Sequence, residues 1–273
     1  MLTENANPDL SLLPFLMSRK PPDVLYHYTS MDGLLGIIEK NEIWASHIMY
    51  MNDALEFKLF IDLLDRGLKP LLKKSDIPTF KVLDACRSIM SRSGSQMNVC
   101  VVSFSEIRDA LDQWRGYGGG STSFCIGFSF NDLSQIAANL TPAFSLLPCT
   151  YESKVQRKLI ADFIFRAEGK PVDLSRAISY APIFKDAAFK NEAEWRLFAT
   201  VGTAANLSFR PGKSMIVPYF KFPLDKVENL GIKEIIVGPT PNKELSVSSV
   251  EALLNKSKIR AEVKPSTIPF RDW

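Results

Sequence analysis

Histidine and cysteine are scarce in this 273-residue chain, which holds two of the first and four of the second. The cysteines, Cys86, Cys100, Cys125 and Cys149, lie far apart with no C-x-x-C pair, so neither a zinc site nor a redox dithiol is indicated. They read as buried thiols of a reducing compartment. No apolar run approaches the roughly eighteen residues that a membrane-spanning helix needs. The one apolar patch near the N-terminus, 10–17, follows acidic residues, is broken by Pro14 and precedes Ser18-Arg19-Lys20. That polarity is wrong for a signal peptide, and the expectation is a cytoplasmic protein with no membrane partner. A tail of one charge is also missing. The 33 basic and 30 acidic residues are interspersed and leave a net charge of +3, with no electrostatic commitment to nucleic acid. There is no internal repeat, and no G-x-G-x-x-G follows a strand pattern, which excludes Rossmann and P-loop readings.

What is present is a chain of 30.6 kDa with 46% hydrophobic residues, enough for a sizeable core. Strand patterns fall at 24–29, 43–46, 98–104, 123–130, 194–201, 214–220 and 233–239, with a last one in "RAEVKP". Helical spacing covers "SMDGLLGIIEKN", opened by a Thr29–Asp32 capping box, then the stretch holding Leu59, Phe60, Leu63 and Leu64, then 79–92. Further helices end at "WRGYGGG", start near Asn131-Asp132, and run over 243–256; 153–193 reads as helical with Pro171 and Pro182 as interruptions. The fold class is α+β, with mixed, mostly antiparallel sheets and flanking helices. One domain is expected over 23–273, with a helical insertion around 153–193 and an extension at 1–22.

Four groups of residues carry candidate chemistry. In "VLYHYTS", strand alternation puts His27 and Thr29 on one face and Tyr28 on the other with Val24 and Tyr26. A core histidine bonded to a backbone carbonyl explains His27 equally well. In "MNDALEF", Asp53 and Glu56 fit a helix N-cap and its N3 carboxylate, and Asn52 is less well explained. In "SFSEIRDALDQWRGYGGG", Ser105 follows the 98–104 strand, and Trp114 and Tyr117 share a helical face as core aromatics or pocket walls rather than catalysts. In "EAEWRL", Glu194 and Arg196 share a strand face, either as an ion pair or as a carboxylate held ionised by a guanidinium.

The ordered set "YHYTS", "IWAS…MND…E", "SFS…D…QW..YG…CIGF", "EAEWRL" and "IIVG" resembles a widespread bacterial family of domains of unknown function, over about 24 to 240. That family in turn resembles the ADP-ribosyltransferase superfamily, and the resemblance implies a fold of that type with NAD as co-substrate and no metal. It implies that Glu194 stabilises the positive charge developing on the ribose as nicotinamide leaves, while His27 positions the adenosine ribose. Trp44 is the implied nicotinamide-stacking aromatic, with Tyr117 as competitor, and Arg196 orients Glu194 or reaches a phosphate. Tyr28, Thr29, Asn52, Asp53, Glu56, Ser105 and Trp114 complete the implied binding set. His27 and Glu194 should then meet across one cleft. The expected function is that of an ADP-ribosyltransferase-like protein or NAD glycohydrolase, with the acceptor unspecified, in bacterial stress or phage defence. Two alternatives stand beside it. One is a non-catalytic module that binds a nucleotide or peptide. The other is a nuclease with Asp53 and Glu56 holding Mg²⁺, which the balanced charge disfavours.

Overall fold

The computed structural model describes residues 20–51, 58–66, 98–118, 122–165, 180–212 and 214–269. Strand β1 (Val24–Ser30) leads directly into helix α1 (Met31–Lys40), whose buried face is Leu34, Ile37 and Ile38. The cap of α1 is Ser30, whose hydroxyl accepts from the Gly33 N–H at 3.2 Å, so the box expected at Thr29 lies one residue on. Thr29 instead packs beneath the first helical turn, where a Cβ on Gly33 would stand only 1.9 Å from the Thr29 hydroxyl oxygen. Glycine is required there by close approach. Asn41 adopts the left-handed conformation at the end of α1 and turns the chain into β2 (Glu42–His47).

Residues 58–66 are helical (α2) and bury Phe60, Ile61 and Leu64; the expected helix at 79–92 lies outside the described residues. Two central strands follow, β3 (Val99–Ser105) and β4 (Ser123–Ser129), separated by α3 (Leu111–Gly118). Their near-continuous apolar sequences match burial on both sides. Next come α4 (Phe130–Asn139), capped by Ser129, the short strand β5 (Ser145–Pro148) and α5 (Ser153–Phe165). Beyond α5, 181–183 and 187–192 form 3-10 turns rather than the expected α-helix. The C-terminal part holds β6 (Glu194–Thr200), β7 (Ser208–Pro211), β8 (Ile216–Pro223), β9 (Ile232–Val237), α6 (Lys243–Lys256) and β10 (Glu262–Pro265). Among the described residues, no helix is long and apolar enough to cross a membrane.

The strands form one mixed sheet in the order β10-β9-β4-β1-β3-β2-β8-β7, with β6 also paired to β3 and β5 to β6. Every named ladder is antiparallel except β9 with β10. The architecture is therefore α+β with a mostly antiparallel sheet. Strand β3 is the branch point. One edge pairs with β6 along its whole length. The other edge is shared, by β1 at Ser105 alone and by β2 at Val101 and Cys100. Between those contacts β1 and β2 part, and the sheet is split.

The two faces of the sheet bury different cores. Leu25, Val102, Phe104, Ile126, Phe128, Trp195 and Leu197 pack with α1, α4 and α6 in the main core. Val99, Val101 and Phe198, the alternate residues of the same strands, pack with α2, Leu159, Ile160 and Phe184 on the other side. A third cluster on that second side joins Tyr28 and Cys125 to Trp114.

Candidate functional site

A buried polar cluster lies at the start of β6. Strand alternation turns Glu194 and Arg196 to one face, as the spacing predicted, and both are buried, at 5% and 1% exposure. Arg196 grips the carboxylate twice, with Nε 2.7 Å from Oε1 and Nη2 3.1 Å from Oε2. Its Nη1 donates to the Pro182 carbonyl at 2.7 Å. A third member comes from the preceding segment: Lys185, itself buried, donates through Nζ to Glu194 Oε2 at 2.5 Å and to Glu192 Oε2 at 2.6 Å. The Glu194 backbone N–H donates to the Tyr151 hydroxyl at 2.8 Å. Burial by itself would raise the pKa of Glu194, but the charges and hydrogen bonds of Arg196 and Lys185 outweigh it and hold the carboxyl below its ordinary value. This is a buried and fully bonded ion cluster, not an exposed pair.

His27 occupies the split. Its Nδ1 stands 2.9 Å from the Ser103 carbonyl, on the edge of β3 that neither β1 nor β2 covers. A carbonyl only accepts, so Nδ1 carries the proton and the neutral ring presents the Nε2 lone pair. Desolvation lowers the pKa of His27, partly offset by this hydrogen bond, and favours that neutral form. The ring packs on Phe104 at 5.7 Å between centroids, which belongs to the main-core face. Glu194 is register partner of Ser105, which is also register partner of Tyr26. The residue sharing a row with Glu194 is thus Tyr26, and His27 falls on the opposite face. The expected meeting of His27 and Glu194 across one cleft does not occur.

The other candidates are placed as follows. The Tyr28 hydroxyl donates to the Ile107 carbonyl at 2.8 Å and accepts from the Ala110 N–H at 3.1 Å. Trp114 is buried edge-on to Tyr28 and donates to Asp109 at 2.6 Å. Ser105 donates to the Glu192 carbonyl at 2.7 Å and accepts from the Ile107 N–H at 3.0 Å. The Trp44 ring stacks on Tyr219 at 4.4 Å, with Lys40 Nζ 4.7 Å from its centroid and Nε1 bonded to Glu42. An indole so occupied is a poor platform for nicotinamide. Thr29 is buried beneath α1. Tyr117 lies on α3, and its side chain, like Asn52, Asp53 and Glu56, is outside the described residues. Among the described residues no group of three or more His, Cys, Asp or Glu side chains is placed to hold a metal ion.

Three contributors escaped the sequence. Lys185 has no periodic or motif signal that ties it to β6, and its position depends on how 180–193 lies over the sheet. Tyr151 reaches the same strand through Glu194 N–H, and burial raises its pKa. Ser103, whose carbonyl holds His27, keeps a buried hydroxyl oxygen without a hydrogen-bond partner.

Residues 113–197, from α3 to the "EAEWRL" strand, match the model of a family described as "Protein of unknown function (DUF2971)". The stretch includes "QWRGYG", "CIGF" and the Glu194–Arg196 pair, so the resemblance to a family of domains of unknown function is upheld there. No curated protein matches the chain.

Proposed function

We propose that the protein is a non-catalytic nucleotide-binding regulatory module, with NAD as the ligand to test first, and that Glu194 is a structural carboxylate. The observation that carries this reading is the occupation of both Glu194 oxygens by Arg196 and Lys185 in a buried cluster. A carboxylate that stabilises a developing ribosyl cation must turn an oxygen and its field towards the sugar. Here two cations compensate that field, and removing either from a buried site is costly. The nucleotide class is supported by the neutral His27 ring, which stands beside the split in the sheet and keeps an Nε2 lone pair that suits a hydroxyl donor such as a ribose. The reading predicts saturable NAD binding by calorimetry that is lost in His27→Ala while the fold persists. Equal binding by both proteins would refute it.

The second reading, an ADP-ribosyltransferase or NAD glycohydrolase, is favoured by one specific feature. Lys185 already touches Glu192 as well as Glu194, so a shift towards Glu192 would leave an ionised Glu194 whose Oε2 is held by the 3.1 Å contact from Arg196 Nη2 alone. Nicotinamide release separates the two readings.

A further inference from the structure

On strands that form no named ladder with β6, β2, β8 and β7 carry one acidic side chain, Glu42, against Arg210 and Lys221. Glu42 is already engaged by Trp44 Nε1 at 2.9 Å and stands 3.9 Å from Lys221 Nζ. Register puts Ser46 opposite Tyr219, and Arg210 opposite Val217, so Arg210 and Ser46 share one face of the sheet. Arg210 Nη2 donates to Ser46 Oγ at 3.2 Å. Its Nε is buried with no hydrogen-bond partner, and no carboxylate among the described residues pairs with it. Ser46, accepting from Arg210, keeps its own proton to donate.

A guanidinium stays charged at any ordinary pH, and a buried N–H without an acceptor is costly, so such a group in a folded protein points to something that binds it. We propose that Arg210 and Ser46 form a binding site for a small oxyanion, a phosphate group or a carboxylate, received by Arg210 Nε–H and the Ser46 hydroxyl. The site lies on paired strands, and because Arg210 Nε is buried an anion reaches it through a movement of the Arg210 side chain rather than of the backbone. It does not depend on the nucleotide reading above. The stacked pair of Trp44 and Tyr219 walls the same face.

The test is NMR of the arginine Nε–H groups in ¹⁵N-arginine protein, titrated with inorganic phosphate and, separately, with acetate at constant ionic strength. The proposal expects a saturable shift of one Nε–H signal that is absent from Arg210→Lys, a variant that keeps the charge and loses the Nε donor. Ser46→Ala should weaken binding by about tenfold without abolishing it. Saturation by phosphate alone would identify a phosphate site, and by acetate alone a carboxylate site. Non-saturating drift with both anions, or calorimetry showing unchanged affinity for the saturating anion in Arg210→Lys, would overturn the proposal, and thermal melts of both variants would show that they remain folded.

Discussion

His27 and Glu194 lie on opposite faces of the same sheet, because Ser105 of β3 is register partner both of Glu194 and of Tyr26, the residue before His27. One step along β1 reverses the side-chain direction. The histidine therefore shares the main-core face with Phe104, while the carboxylate shares the second face with Arg196 and Lys185. From this relationship follow a structural assignment for Glu194 and a separate one for His27.

The Glu194–Arg196 pair should behave as a buried ion pair. Arg196→Met, which leaves Lys185 as the remaining cation, should lower unfolding free energy by about 3 kcal/mol, near the lower end for breaking a buried pair. Denaturant unfolding measures this. A loss of about 1 kcal/mol or less would be the behaviour of an exposed pair and would contradict the burial assigned here.

Stability should fall in acid partly through Glu194. Its folded-state pKa lies below the ordinary 4.5, so its contribution is fully present above that value and is lost as pH falls through the folded value. Glu234, lowered by the Arg108 hydrogen bond, and Asp109 titrate in the same sense. Comparison of wild type with Glu194→Gln isolates one group from these. The variant should be less stable at neutral pH, and the gap should narrow as the medium is acidified below about 4.5. A gap that is constant with pH would mean that Glu194 is not held ionised by the fold.

The two histidines should be opposite tautomers. His27 Nδ1 faces a carbonyl and must carry the proton, whereas His47 Nδ1 accepts from the Met49 N–H at 3.2 Å and leaves the proton on Nε2. Burial lowers the pKa of both, so both are neutral at neutral pH. Long-range ¹H–¹⁵N correlation spectra of the imidazole rings distinguish the forms. The same tautomer at both residues would contradict the hydrogen bonds described.

Much of the scaffold was legible because local signals were strong. The apolar runs of β3 and β4, the amphipathic face of α1 and the helical stretch of α6 appear where pattern and propensity put them. The short strands β5 and β7 were not foreseen, since "SLLP" and "SFRP" carry no strand pattern of their own and are defined by their neighbours β6 and β8. The pairing of Glu194 with Arg196 followed from spacing alone, but its burial and its third member, Lys185, depend on tertiary placement of 180–193. The side on which His27 falls relative to Glu194 depends on register across three strands. No single strand's sequence carries that parity. Trp44 was likewise recognisable as an aromatic on a short strand, but its stacking on Tyr219 depends on the β2–β8 ladder.

The most direct test of the account is nicotinamide release from NAD by purified protein, with and without cell extract, for wild type and Glu194→Gln, each first verified as folded. The account predicts no release above the uncatalysed background by either protein under conditions where wild type binds NAD. Release by wild type that disappears in folded Glu194→Gln would contradict it and would make Glu194 a catalytic residue.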